Sequence, residues 1–171
     1  VYAWHPIANY DIFWHMATGR LILEQKQLPA TNTFNYPNPA EPYENECWLF
    51  DLASHAFWLF GSSRGICGYA TVVILLTFIF LFLTLLKRGV PVSVAVLIVL
   101  LTLFLIKFRF LQRNFLLSYL FLSIYLYSFP TGDERTQKRV LVLYPLIMIF
   151  WTNIHIGCYC LLYTSPSPRD S

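Results

Sequence analysis

Four apolar runs follow one another through the last two thirds of the chain. They cover residues 66–86, 90–106, 115–129 and 140–163, and charged residues collect in the short stretches between them. Uncharged apolar runs of about 18 residues are typical of transmembrane helices. The pattern therefore predicts about four transmembrane helices, packed as a bundle over residues 66–163.

Residues 1–65 mix apolar and polar positions and contain no run of that length. Within them, residues 12–25 have the apolar spacing of a helix, which Pro29 would end because proline lacks a backbone N–H. Residues 47–60 form a second, aromatic-rich segment. We expect two juxtamembrane helices lying at the membrane interface, although the second segment would also fit the first half of a spanning helix.

The composition favours an all-α polytopic membrane protein. Hydrophobic residues make up 57% of the 171 residues and charged residues only 12%, about half the ~25% usual in soluble domains. The net charge of +3 comes without any block of basic residues, so nucleic acid is not an expected partner. The expected partner is the lipid bilayer.

Both ends of the sequence suggest a fragment of a longer protein. The chain opens inside an apolar stretch at Val1, the expected tail of a truncated first span. Residues 164–171 form a polar, proline-rich tail that we expect not to be native. The chain is thus interpreted as the N-terminal part of a longer protein.

The basic residues suggest an orientation in the membrane. The cations fall on two sides of the predicted spans: Lys87, Arg88, Arg135, Lys138 and Arg139 on one side, and Arg64, Lys107, Arg109 and Arg113 on the other. The larger set belongs in the cytoplasm by the positive-inside rule. Residues 1–65 would then be extracytoplasmic.

Asp11 and His15 are the first candidates for chemistry. Their four-residue spacing places them on one face of the first helix. The carboxylate could act as a general base on a hydroxyl or hold a divalent cation, with His15 assisting. Alternatively, Asp11 caps the helix start and His15 reaches toward the lipid headgroups.

Two further pairs are predicted on the same side of the membrane. Arg109 and Arg113, also four residues apart, could grip a phosphate or anchor to anionic headgroups. Asn153 and His155 lie in the outer half of the last apolar run, where polar residues line a cavity or form hydrogen bonds between helices. Together the three pairs predict one cavity for an anionic, lipid-linked ligand.

The order of these elements resembles the opening of bacterial membrane proteins related to GT-C glycosyltransferases. The resemblance extends over roughly residues 9–160. It rests on Asp11-x-x-Trp14-His15-x-x-Thr18-Gly19-Arg20, Leu28-Pro29-x-Thr31-x-x-Phe34-x-Tyr36, Glu46-x-Trp48-Leu49, Gly61, Arg113-Asn114 and Phe150-Trp151-Thr152-Asn153-Ile154-His155-Ile156-Gly157. Asn114 stands where the family pattern has proline, and Ile156 where it has a small residue.

The resemblance implies a multi-span enzyme of the bacterial inner membrane. It would move a sugar from a polyprenyl-phosphate donor to a cell-envelope acceptor, with Asp11 as the catalytic acid of the first extracytoplasmic loop. His15 would assist, and Arg109, Arg113, Asn153 and His155 would bind the substrate. A non-catalytic scaffold or lipid-handling protein and a transporter fragment are the alternatives.

Overall fold

The computed structural model describes residues 7, 9–31, 33–34, 41–129 and 134–158, and the side chains of residues 134–139 are outside this description. The elements are α1 (Asp11–Gln25), α2 (Trp48–Lys87), α3 (Val92–Ile106), a short 3-10 helix (Lys107–Arg109), α4 (Phe115–Ser128) and α5 (Glu134–Thr152). The expected all-α class is confirmed for this part of the chain. The predicted truncated span before residue 7 and the tail at 164–171 lie outside the described residues.

Helix α1 begins one residue before its predicted start and ends before proline is reached. Lys26 takes up a left-handed conformation at φ 54°, and its N–H donates to the carbonyl oxygen of Ile22. This closes the helix three residues ahead of Pro29. Its buried face includes Ile12 and Met16.

Helix α2 reverses direction at Gly61 and Ser62, whose backbone torsions are not helical. The rings of Phe57 and Tyr69 stack with centroids 4.8 Å apart, whereas twelve residues of straight helix would separate them by about 18 Å. We call residues 48–60 the first arm and residues 63–87 the second arm. The two non-helical residues fall between the segments that the sequence pattern separated, residues 47–60 and 66–86.

The two arms touch closely near the reversal. A Cβ atom placed on Gly65 would lie 2.0 Å from the carbonyl oxygen of Phe57, so a side chain there would separate the backbones. A similar contact joins α1 to the first arm, because a Cβ on Gly19 would lie 2.1 Å from the carbonyl oxygen of Asp51. Both glycines therefore serve close approach between helices.

The second arm and α4 run side by side in the same direction. Leu117 of α4 and Val73 line the same apolar cavity, Phe80 packs on Tyr127, and Lys87 Nζ donates to the carbonyl oxygen of Tyr127 over 2.9 Å. One core joins both arms to α1 and α4 through Ile12, Phe50, Ile66, Leu116 and other buried residues. A smaller cluster joins α4 to α5.

Among the described residues, two helices rather than the four predicted are long and apolar enough to cross a membrane. They are Trp48–Lys87, where the second arm supplies the apolar length, and Val92–Arg109. The apolar helices Phe115–Ser128 and Val140–Thr152 are shorter. At 1.5 Å per residue these two would cover only about 20 Å, less than the ~30 Å hydrocarbon core of a bilayer.

Candidate functional site

Asp11 and Arg113 form an ion pair at one end of the bundle. Arg113 Nη2 lies 2.8 Å from Asp11 Oδ2, and the two side chains are 41% and 54% exposed, respectively. Asp11 opens α1, and Arg113 lies just before α4 begins at Phe115. The fold thus brings together Asp11, the predicted base, and Arg113, a residue predicted to bind phosphate, from distant parts of the sequence.

Asn9 is buried beside this ion pair and forms hydrogen bonds with both of its members. Its side chain is only 5% exposed, and its Oδ1 accepts hydrogen bonds from Arg113 Nη2 at 3.0 Å and from the Asp11 backbone N–H at 3.3 Å. Its Nδ2 reaches the carbonyl oxygen of Gln112 at 3.5 Å. Asn9 therefore orients both members of the pair, a role that sequence reasoning missed.

His15 is paired with Asp51 of the first arm rather than with Asp11. His15 Nδ1 donates to Asp51 Oδ1 over 2.6 Å, and Asn45 Nδ2 donates to Asp51 Oδ2 over 2.6 Å. Asp51 is fully buried and His15 nearly so. The pair assumed from the spacing of Asp11 and His15 is wrong, as is the idea that His15 reaches toward the headgroups.

The negative charge of Asp51 also affects the nearby side chain of Tyr43. Burial, followed by the nearby charge of Asp51, raises the pKa of Tyr43 to about 12. The Tyr43 ring packs edge-on against Trp14, the neighbour of His15. The first arm thus contributes a buried polar centre whose side chains hold α1 in place.

Asn153 fastens the end of α5 to the start of α2. Its Oδ1 accepts from Trp48 Nε1 at 2.7 Å, and its backbone oxygen accepts from the Leu49 N–H at 3.2 Å. Its Nδ2 donates to the carbonyl oxygen of Ile149 at 2.7 Å. These contacts match the predicted hydrogen bond between helices.

His155 follows α5 and forms a chain of hydrogen bonds with α4. Trp151 Nε1 donates to Ser118 Oγ, which lies 2.8 Å from His155 Nδ1. The Gly157 N–H also donates to Nδ1, which requires a neutral ring because a protonated Nδ1 accepts no hydrogen bond.

Arg109 does not share the ion pair of Arg113. It lies exposed at the end of the 3-10 helix, so the two arginines predicted as one grip have different surroundings. No group of three His, Cys, Asp or Glu side chains stands together in the described part of the chain. The possible divalent cation at Asp11 therefore has no set of protein ligands among these residues.

Sequence reasoning named Asp11 and Arg113 but missed the residues that hold them. Asp51, Asn9 and Ser118 carried no signal beyond being polar residues near apolar ones, and many other residues of the predicted spans share that signal.

No family model, curated protein or solved structure matches this chain. The resemblance to GT-C glycosyltransferases therefore stays a prediction from the motif pattern.

Proposed function

We propose that this protein binds a phosphate-bearing, lipid-linked sugar at the outer face of the bacterial inner membrane and transfers the sugar to a cell-envelope acceptor. The observation that carries the proposal is the Asp11–Arg113 pair. A base for the acceptor hydroxyl and a cation for the donor phosphate must lie within the span of one reacting sugar. These two side chains meet that requirement and are open to solvent.

In the proposed reaction the bond between the sugar carbon and the donor phosphate oxygen breaks as the acceptor oxygen bonds to that carbon. Arg113 stabilises the negative charge that grows on the leaving phosphate. Asp11 takes the proton of the acceptor hydroxyl. Asn9 orients both groups, and His15 acts at a distance by fastening α1 to the first arm.

The proposed membrane setting places residues 1–65 outside, with the second arm and Val92–Arg109 crossing the bilayer. The shorter helices pack beside them, α4 on the second arm and α5 on α4. Asn153 and His155 would border the site through their helix contacts. Those contacts give no support to a transporter in which the two residues form a pathway.

The experiment is sugar transfer by membranes that contain the protein, with a radiolabelled lipid-phosphate sugar as donor. Asp11→Asn and Arg113→Gln are each expected to abolish transfer at unchanged protein level. Glu24→Gln is the matched control, because it removes a carboxylate from the exposed ion pair with Arg20 on the same helix. Transfer at the wild-type rate in both site variants would overturn the proposal.

A non-catalytic, lipid-handling protein is the second candidate. It is favoured by the ion pair of Asp11 with Arg113, which occupies the carboxylate that the transfer reaction needs as a base. Such a protein would bind the lipid-linked phosphate through Arg113 without any transfer, so binding without turnover would identify it.

A further inference from the structure

The guanidinium of Arg113 is neutralised by a carboxylate from the protein itself. Asp11 Oδ2 lies 2.8 Å from Nη2, a contact of the kind that a phosphate oxygen makes with arginine. Asp11 thus stands where an anionic ligand of Arg113 would stand. Ligand and carboxylate cannot both hold the same N–H in this geometry.

Asp11 and Asn9 are both bonded to the one nitrogen Nη2, while Nε is buried and has no partner among the described residues. The Nε–Nη2 edge of the guanidinium is therefore closed to a phosphate as long as the ion pair with Asp11 stands. The neighbouring Gln112 is fully buried, and neither atom of its side-chain amide has a partner among the described residues. Buried polar groups are nearly always hydrogen-bonded, so these groups favour a further hydrogen-bonding partner at this place, and a phosphate is the one that the proposed function supplies.

We propose that a phosphate group competes with Asp11 for Arg113, so that binding of phosphate releases the carboxylate of Asp11. This inference rests on the proposed function, because it assigns phosphate to Arg113. In the empty protein the base is held in an ion pair. Binding of the donor phosphate releases the Asp11 carboxylate, which can then accept a proton from the acceptor hydroxyl. The base is therefore available only after the donor has bound.

The exposure of the pair suits an exchange of this kind. Ion pairs open to solvent contribute little to stability, so a phosphate can displace Asp11 without unfolding the helix start. The buried pair of His15 and Asp51 stays in place during the exchange, since separating it would leave a buried charge without a partner.

The test is the affinity of the full chain for inorganic pyrophosphate, measured by titration calorimetry in phosphatidylcholine nanodiscs. Because Asp11→Asn removes the competing charge, we expect it to bind pyrophosphate about 1.4- to five-fold more tightly, the range set by an exposed ion pair. Glu24→Gln should bind like the wild type. A thermal melt of each variant verifies folding.

Equal or weaker binding by Asp11→Asn overturns the competition. Arg113→Gln separates this failure from failure of the proposed function. Loss of pyrophosphate binding in Arg113→Gln leaves phosphate binding at Arg113 standing even if the competition is wrong. Wild-type binding in Arg113→Gln overturns both.

A further titration distinguishes the possible sources of the phosphate. Polyprenyl phosphate added at low mole fraction should displace pyrophosphate, whereas phosphatidylglycerol at the same fraction should not. Equal displacement by the two lipids would identify the ligand as a bulk headgroup and overturn a lipid-linked carrier as the source.

Discussion

Asp51 shows how much a single residue contributes to the frame around the site. It lies buried between His15 and Asn45, and through them it connects α1, the loop before α2 and the first arm. Removing one partner of a buried polar pair is strongly destabilising, because the other partner is left buried without a hydrogen bond. The geometry of Asp11, one helical turn before His15, therefore depends on a carboxylate elsewhere in the sequence.

Asp51→Ala should lower the free energy of unfolding by about 3 kcal/mol or more, because His15 and Asn45 lose their buried partner. Glu24→Ala is the control and should change it by less than about 1 kcal/mol, since its ion pair with Arg20 is exposed. Unfolding in mixed micelles with increasing dodecyl sulfate measures both. Equal effects of the two substitutions would contradict a structural role for the buried pair.

His155 should make stability depend on pH. Its Nδ1 accepts the Gly157 N–H, which only the neutral ring can do, so the unfolded chain takes up a proton more readily than the folded chain. The contribution of this contact is complete while the ring is neutral and is lost progressively as the pH falls. Melting temperature should therefore decline in acid.

The comparison for this prediction is His155→Gln, which cannot take up the proton. We expect its melting temperature to fall less between pH 7.5 and pH 5 than that of the wild type. The other histidines contribute to both proteins, so the difference isolates His155. Identical slopes would show that the hydrogen bonds of Ser118 and Gly157 to this ring do not require the neutral form.

At the level of single residues, the sequence indicated which side chains belong to the candidate site but not which side chains they contact. Asp11 and Arg113 were named separately, each with a neighbour four positions away. In the structure their partners come from other elements, because helix packing rather than spacing decides which side chains meet. Asp11 and His15 share a helix and still pair with Arg113 and Asp51, respectively.

The reversal within α2 is the main feature at the level of elements. In the sequence, Gly61-Ser62-Ser63 separates the aromatic segment at 47–60 from the apolar run at 66–86 and so coincides with the reversal. That signal predicts an interruption but not the direction of the chain after it. The direction follows from contacts such as Phe50 with Tyr69, whose ring centroids are 6.3 Å apart.

Gly65 provides a test of the close contact between the two arms. Gly65→Ala should destabilise the protein by about 1–3 kcal/mol, because the new methyl group would meet the backbone of Phe57. Gly68→Ala lies three residues further along the same helix with no atom within 4 Å of the added carbon. It should be neutral or stabilise by up to about 1 kcal/mol through helix propensity.

Unfolding free energies of these two variants would be measured side by side. The contact between the arms would be refuted if both alanines had the same effect, whatever its sign. The pair is informative because both substitutions add one methyl group to the second arm.

On the scale of the whole molecule, α3 carries one of the two largest sets of exposed apolar side chains among the described residues, the other being on α2. Most of this helix is exposed, including Leu97 and Phe104, while Ala95 is buried. An exposed helix with so few polar residues favours contact with lipid. The number of spans was harder to predict from the sequence. The apolar runs at 115–129 and 140–163 are longer than the apolar helices Phe115–Ser128 and Val140–Thr152 that the structure describes there.

A nitroxide label at Leu97→Cys should report this environment after reconstitution in a bilayer. Leu97 is 64% exposed, so its label should collide often with dissolved oxygen and rarely with a water-soluble nickel chelate. A label at Ala95→Cys, at a position with 0% exposure, should collide rarely with either. Frequent collisions with the chelate at position 97 would contradict a lipid-facing α3.

The Asn9–Arg113 contact also has a consequence for how the protein is made. Its two residues stand 104 positions apart, so the ribosome has to add more than a hundred residues after Asn9 before the contact can form. At about 5–20 residues per second this delay is on the order of 5–20 s. During that interval Arg113 has not yet been synthesised, so the Asp11 carboxylate at the start of α1 lacks the ion pair that it forms in the folded protein.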